Sequence, residues 1–393
     1  MKTILIIGAS ILQVPAIIKA KELGLRVVVV DINSNAIGIA YADDYYNVST
    51  IDQEGILKVA QIVKPDGIMT LATDMPMRSI AYISEKMNLP GISMCTAIKA
   101  TDKIEMIKAF KQNDVACPWF FTLRRSEDIE KISSFLTYPC IMKPSDNAGS
   151  RGVIKINTID ELKNNFEYSL SNSRNGDVLV EEYLVGEEVS VEVIVYKGKV
   201  NILAITDKIT TGPPHFVELG HTQPTMHNPE TIKSIEELTV KAIQSIGLEN
   251  GTAHVEMMIT SQGPKMIELG ARLGGDCITT HLVPLSTGID MVQATIDIAL
   301  NRKPDLDIKF KKGSAIRFFN PNLGILRDIV GIEETRNIEG VKEIVFTKKT
   351  GDIIPKIESS VDRCGYVIVQ GDDRDTAINI ANYAIQNIKI IVS

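Results

Sequence analysis

The chain has 393 residues, of which 44% are hydrophobic and 23% charged, an ordinary globular composition with room for two or three domains. A formal net charge of −7 and the lack of any long basic run argue against nucleic acid or an anionic membrane as a partner. The five cysteines, Cys95, Cys117, Cys140, Cys277 and Cys364, show no CxxC spacing, no apolar stretch reaches membrane-spanning length, and Met1-Lys2-Thr3 runs straight into an apolar segment with no cleavage signal, so free thiols in a reducing cytoplasm are expected.

Residues 3–8 read as a buried strand, followed by a Gly8-Ala9-Ser10 turn, a helix near 13–23 and a second buried strand, Arg26 to Asp31. A helix over 53–63, a strand over 67–71 and a helix over 76–87 follow. Continuous Val/Ile runs alternating with helices indicate a parallel, doubly wound sheet, ending near Leu89-Pro90-Gly91. Asp31 ends the second strand where a ribose-binding acid would sit, but Gly8 to Gln13 lacks the second and third glycines of a dinucleotide fingerprint, which disfavours an NAD enzyme. A charged amphipathic helix over 101–113, capped by Thr101 or Asp102, comes next, then helical residues 126–136 and a strand over 139–144. The polar glycine loop 146–152 lies between that strand and another at 153–156, so it is not a strand-to-helix P-loop. Its small residues can turn backbone N–H groups toward an anion, with Lys143 beside it; a plain hairpin turn is the other reading. Strands are expected over 178–184, 188–196 and 199–206, a long irregular loop over 207–228, and a helix over 229–246. Beyond Arg302-Lys303-Pro304, a boundary signal, short strands lead to a closing helix at 375–388.

The segment from Val255 to Arg272 carries most of the chemistry. Glu256 and Glu268 lie on two short apolar runs joined by the turn-forming Thr260-Ser261-Gln262-Gly263-Pro264, and Arg272 follows four residues later. Paired as a hairpin, the two acids stand side by side, an arrangement that calls for a cation between them. Mg²⁺ suits it, since it takes one or two carboxylates and completes its shell with substrate phosphates. A surface hairpin with solvated acids is the alternative for this stretch alone. Lys103 on its helix could equally be a solvated charge, and Glu187 and Glu188 strand-edge charges.

Taken in order, Lys103, Lys143 with its glycine loop, Glu181 to Glu188, Glu256, and Glu268 with Arg272 resemble the ATP-grasp superfamily across essentially the whole chain. The resemblance implies an α/β and α+β architecture: a Rossmann-like pre-ATP-grasp domain (1–95), a two-subdomain ATP-grasp fold (96–304, divided near 180), and a small β-rich C-terminal domain (305–393). The last looks like that of biotin carboxylase, on Ala315 to Phe319 and Asp362 to Ile368. By the same resemblance Lys103 and Lys143, with Ser150 and Gly152 of the loop, hold ATP phosphates. Glu181, Glu182, Tyr183 and Leu184 frame adenine, and Glu188 holds the ribose. Glu256 and Glu268 bind Mg²⁺, with Mn²⁺ as a substitute, and Arg272 holds a carboxylate and its acyl phosphate. Many members carry Asn where this chain has Gly270, which leaves the source of a further metal ligand open.

Phe216 to Pro224 and Glu268 to Asp276 look like segments of the bacilysin-type L-amino-acid ligases. That likeness implies Glu218 as a metal-side or amine-side ligand and His221 as a charge stabiliser on the acyl phosphate. His254, beside Glu256, has no zinc spacing and is expected to be structural. The expected activity is ATP-dependent ligation of a small-molecule carboxylate to an amine, on two amino acids for preference. A glycinamide ribonucleotide synthetase type, a carbamoyl-phosphate-synthase-like enzyme and a non-catalytic nucleotide-binding regulator are the alternatives. Because relatives are often dimers, a homodimer is an open expectation.

Overall fold

A computed structural model describes residues 1–147 and 151–393. Strands β1 (Thr3–Ile7), β2 (Arg26–Val30), β3 (Asp44–Tyr46) and β4 (Gly67–Met69) form a parallel sheet in the order β3-β2-β1-β4. Helices α1 (Val14–Glu22), α2 (Gln53–Val63) and α3 (Met77–Met87) alternate with them. Successive side chains of β1 and β2 enter two different cores, because a strand presents alternate residues to opposite faces. Leu5, Ile7, Val28 and Val30 pack with Ile56 and Ile80, while Ile4, Ile6, Val27 and Val29 pack with Ile17 and with Met291 and Ile296 from far along the chain. Covering both faces is why these strands read as unbroken apolar runs. The Asp31 carboxylate accepts from the Ala9 and Asn33 N–H groups, both at 2.8 Å, and so braces the Gly8 turn instead of standing ready for a ribose.

Helices α4 (Met94–Thr101) and α5 (Lys103–Gln112) follow, split at Asp102, whose carboxylate caps α5 by accepting from Ile104 N (3.0 Å) and Glu105 N (3.3 Å). The expected single helix over 101–113 is therefore the second of a pair, and Asp102 is the cap. Strands β5 (Phe120–Leu123), β6 (Cys140–Pro144), β7 (Ile154–Ile156) and β8 (Val178–Glu182) make a separate antiparallel sheet, β5-β8-β6-β7. Around it lie α6 (Asp128–Ile132) and α7 (Ile159–Ser171), with a small core of its own that includes Met142, Phe166 and Val180.

The largest sheet has eight antiparallel strands. β9 (Glu187–Tyr196), β10 (Lys199–Thr210) and β11 (Glu218–Gln223) precede α8 (Pro229–Ile246), and β12 (Gly251–Thr260) and β13 (Gly263–Gly270) follow it. After a π-helical turn at Ile278–Leu282 come α9 (Val283–Thr287) and α10 (Met291–Ala299). The C-terminal region adds β14 (Gly313–Phe318), β15 (Gly324–Val330), α11 (Ile332–Arg336), β16 (Val341–Phe346), β17 (Ile353–Ile354), β18 (Gly365–Gly371), α12 (Arg374–Asn387) and β19 (Lys389–Val392). The sheet order β13-β12-β9-β10-β11-β14-β18-β16 runs unbroken across residue 304, while β17-β15-β19 form a small sheet to the side.

The irregular loop expected over 207–228 is broken by strand. β10 continues to Thr210, and β11 lies between β10 and β14, which leaves residues 211–217 and 224–228 as irregular segments. Gln223, fully buried, donates to Thr206 Oγ1 and accepts from Ser286 Oγ, and Arg317 donates to Thr222 Oγ1. β11 is thus held by paired polar groups where sequence reasoning looks for apolar alternation. Among the described residues no helix is long and apolar enough to cross a membrane.

Candidate functional site

The β12–β13 hairpin sets Glu256 directly opposite Glu268, with a bulge immediately after Glu256. Each acid has its own ammonium. Lys103, the first residue of α5, donates to Glu268 (2.9 Å) and to the Asn147 carbonyl (2.8 Å). Lys208 on β10 donates to Glu256 (3.0 Å), is bonded to Glu188 and lies 3.7 Å from Glu218. Only 3% of the Lys208 side chain is exposed. Burial pulls its pKa down, but the three carboxylates outweigh burial and hold it well above the usual lysine range. Burial pushes Glu256 up, yet Lys208 and His254 hold it well below the usual carboxylate range. Behind it His254 bridges Glu256 (3.2 Å) and the fully buried Glu192 (2.7 Å). There burial works against the imidazolium, but Glu192 and Glu256 raise its pKa to about 9. A Cβ at Gly274 would come within 2.6 Å of His254 Nδ1, so the turn after Arg272 needs glycine to pass that pair.

Two cavities meet at this cluster. The smaller, about 220 Å³, runs between the four-stranded sheet and the edge of the large one. Its apolar walls include Ile141, Val153, Leu184, Met258 and Ile267, and Glu181, Glu182, Tyr183 and Glu188 line it as well. Lys143 pairs with Glu181, both nearly buried, and Glu181 Oε2 has no hydrogen-bond partner among the described residues. Glu182 binds Lys265 through both oxygens (2.9 and 3.1 Å). Lys155 sits 4.3 Å from the centre of the Tyr183 ring, and Phe216, in the 211–217 turn with φ 52°, lies 6.4 Å from it. Of the glycine loop, Ser150 lies outside the described residues. Gly152 has φ 78°, and a Cβ there would meet Pro144 at 2.7 Å, so the chain turns back against β6 only with glycine at this position.

The larger cavity, about 630 Å³, shares Lys103, Lys208, Glu218, Glu256, Glu268 and Arg272 with the first. Arg272 forks onto Asp74, with Nε and Nη2 each 3.0 Å from a carboxylate oxygen. His221, almost fully buried, stands edge-on to Phe318, with Nε2 3.4 Å from Asp276 and Nδ1 unpartnered among the described residues. Arg363 binds Asp276 through two nitrogens (2.8 and 2.7 Å) and lies over the Phe318 ring. Burial raises the Asp276 carboxyl, but Arg363 and His221 outweigh it and hold the group below the usual range. The backbone is strained here: Asp276 and Cys277 both have positive φ, and a π-helical turn follows.

Apart from Ser150, every site residue expected from the sequence lies at or beside these two cavities. Sequence reasoning missed Lys208, Asp74, Glu192, Asp276 and Arg363, and gave His254 a structural part or one in support of the neighbouring site residues. Asp74 carried a signal in hindsight, because it sits just past the carboxyl end of β4, where doubly wound sheets bind ligands. Lys208 carried none, since it falls in the stretch that reads as an irregular loop in sequence.

Residues 136–280 match the ATP-grasp domain family, and residues 317–393 match L-amino acid ligase C-terminal domain 2. The chain is 21% identical over 330 residues to the L-arginine-specific L-amino acid ligase of Bacillus subtilis, covering 81% of this chain and 80% of that protein. In structure it is similar to the L-amino acid ligase from Bacillus licheniformis (TM-score 0.86, 22% identity, 100% and 99% of the two chains). It is also similar to phosphoribosylglycinamide synthetase from Anaerococcus prevotii (TM-score 0.81, 26% identity, 100% of both chains). With the two matches in sequence and the charged cluster at the meeting of two cavities, the chain carries an ATP-grasp domain followed by an L-amino acid ligase C-terminal domain.

Proposed function

We propose that this ligase joins the carboxylate of one amino acid to the amine of another at the expense of ATP, releasing ADP and phosphate. The observation that carries the reading is the shared wall: one set of charged residues, Lys103, Lys208, Glu218, Glu256, Glu268 and Arg272 among them, borders both the apolar-walled cavity and the larger one, so a nucleotide in the first presents its terminal phosphate to a substrate in the second. The match of residues 317–393 to an L-amino acid ligase domain favours amino acids over a phosphoribosylamine.

In this reading the adenine lies among Ile141, Leu184 and Met258, where Glu181 Oε2, without a partner among the described residues, accepts a hydrogen bond from it. Tyr183 and Glu182 border the base and Glu188 the ribose. Lys143 and Lys103, with Gly152 and its neighbours in the loop, hold the phosphates. The donor set fits Mg²⁺: two opposed carboxylates, Glu256 and Glu268, line the cavity and would hold the ion. Mg²⁺ bound there supplies neutralising charge to the phosphates, and Mn²⁺ can substitute for it. The protein groups do the positioning. Arg272 holds the substrate carboxylate toward the γ-phosphate; a carboxylate oxygen bonds to the γ-phosphorus as the bond to the bridging oxygen breaks, ADP departs, and the transferred phosphoryl group makes the acyl phosphate. His221 stabilises charge on that group, and Glu218 faces the incoming amine. The amine nitrogen attacks the acyl carbon, and phosphate departs as the amide forms. Catalysis rests on position and preorganised charge, as phosphoryl transfer generally does.

A phosphate-release screen over amino-acid pairs tests the proposal. Release should require both a carboxylate and an amine. ATP hydrolysis indifferent to both, or none with any pair, would point to a nucleotide-binding regulator.

A further inference from the structure

The Asp74–Arg272 pair is built to do more than brace an arginine. Arg272 gives Nε and Nη2 to Asp74 and Nη1 to the Leu273 carbonyl (3.3 Å). A guanidinium has five N–H donors, so Nη1 and Nη2 each keep one. A carboxylate offers about four acceptor positions, and Asp74 uses two of them on Arg272. Both side chains border the larger cavity, Arg272 15% and Asp74 20% exposed, so unused donors and unused acceptors lie next to each other on one wall.

Two features of the chain serve this juxtaposition. Ala72, two residues before Asp74, is held at φ 56°, a conformation a β-carbon disfavours, in the bend that leads from β4 to Asp74. Gly270 leaves the necessary room: a Cβ there would approach Asp74 Oδ1 at 3.0 Å and Arg272 Cζ at 3.1 Å. The other acids bordering the cavity near Arg272 are held by different cations, Glu268 by Lys103, Glu256 by Lys208 and Asp276 by Arg363. Asp74 alone among them is paired with the arginine that the proposed function assigns to the substrate carboxylate.

We infer that Asp74 reads the α-ammonium of the substrate whose carboxylate Arg272 holds, so that the carboxyl-donating substrate is recognised as an α-amino acid zwitterion. The inference rests on the proposed role of Arg272. The two charges of an α-amino acid sit on adjacent atoms of one carbon, and the paired side chains present the opposite charges side by side. A carboxylic acid without the α-amino group satisfies Arg272 but leaves Asp74 unmatched, and a site built around a polar group discriminates strongly against a ligand that lacks it.

The test traps the acyl phosphate with hydroxylamine, which removes any need for the second amino acid. Hydroxamate formation is measured with ATP, Mg²⁺ and either L-leucine or its des-amino analogue 4-methylpentanoate, the pair being replaced by another amino acid and its des-amino analogue if leucine is not the preferred side chain. The wild-type protein should prefer the amino acid in kcat/KM by at least about tenfold, the scale of one charge-assisted hydrogen bond. Asp74→Asn should erase that preference by raising KM for the amino acid, so that the ratio of the two kcat/KM values falls toward one whatever common loss the altered Arg272 brace imposes on both substrates, with ATP affinity unaltered. A parallel fall for both substrates would mean that Asp74 only braces Arg272, and would overturn the inference. So would a wild-type protein indifferent to the α-amino group, a result that needs no variant. If the wild-type protein makes no hydroxamate from any amino acid, the ligase reading fails first and this inference with it; an active wild type whose preference survives in Asp74→Asn refutes the role of Asp74 alone.

Discussion

Replacing Arg363 by Gln tests how strongly the C-terminal region is tied to the reacting groups. Arg363 is 9% exposed, forks onto Asp276, donates to the Ser360 and Glu218 carbonyls (2.9 and 3.2 Å) and lies 3.7 Å from the Phe318 ring centre. Removing one member of a buried ion pair costs about 3–5 kcal/mol, because the other charge is left without compensation. Asp276 retains 24% exposure, which places the expected loss near the lower end, about 3 kcal/mol, and the cation–π contact adds about 0.5–1 kcal/mol. Urea unfolding of Arg363→Gln against wild type measures it, through a lower midpoint at unchanged slope. The pH dependence gives an independent check. The Asp276 carboxyl is held below its usual range, so its contribution is fully present above the unfolded value near 3.8 and fades as pH falls toward the folded one. The gap between wild type and variant should therefore be full at pH 6 and narrow on acidification below about pH 4. A loss under about 1 kcal/mol, the worth of an ordinary surface pair, or a gap that widens with acid, would refute the reasoning.

Three further outcomes follow from the site. Glu268→Gln should leave the fold intact and reduce ligation at least about a hundredfold, measured as ADP formation, because a carboxylate that would hold Mg²⁺ against the phosphates is lost. Lys143→Ala should weaken ATP binding by about 1.5–3 kcal/mol in calorimetry, the loss of one charge-assisted contact; unchanged affinity would remove Lys143 from the phosphate site. Arg272→Lys keeps the charge but not the fork, so ATP binding should persist while carboxylate-dependent ADP formation falls at least about tenfold, roughly 1.4 kcal/mol of transition-state stabilisation, and a joint loss of stability and ATP binding would mark the arginine as structural.

What could be read in the sequence divides along a physical line. Apolar period and capping chemistry act over short distances, so the helices at Gln53–Val63 and Pro229–Ile246 match their expected spans. The hairpin that pairs Glu256 with Glu268 was also legible, because the turn between the strands is local. β11 was not. It is buried through Gln223, Thr222 and His221, and a strand whose buried side chains are polar and bonded to neighbouring elements looks like a loop in one dimension. The charge network was illegible for a related reason. Asp74 meets Arg272 across 198 residues, and Lys208 meets Glu256 across 48, and nothing in the chain near either residue encodes its partner. The lone glycine at position 270 reads as a missing ligand in sequence, whereas in space it is the gap into which Asp74 fits.

The continuity of the large sheet across residue 304 governs how this protein can be cut. β11, which carries Glu218 and His221, bonds to β14 on its far side from Gly220 opposite Arg317 to Gln223 opposite Ser314. A chain ended at 304 would still contain every lysine and glutamate of the nucleotide cavity, yet β11 would become a bare edge with unmet N–H and C=O groups. Such an edge recruits another strand, and the nearest supply at high concentration is a second truncated chain. The fragment should aggregate instead of surviving as a weakened ligase, and the C-terminal region is, in this sense, the cover that keeps the reacting strand from pairing with the wrong molecule.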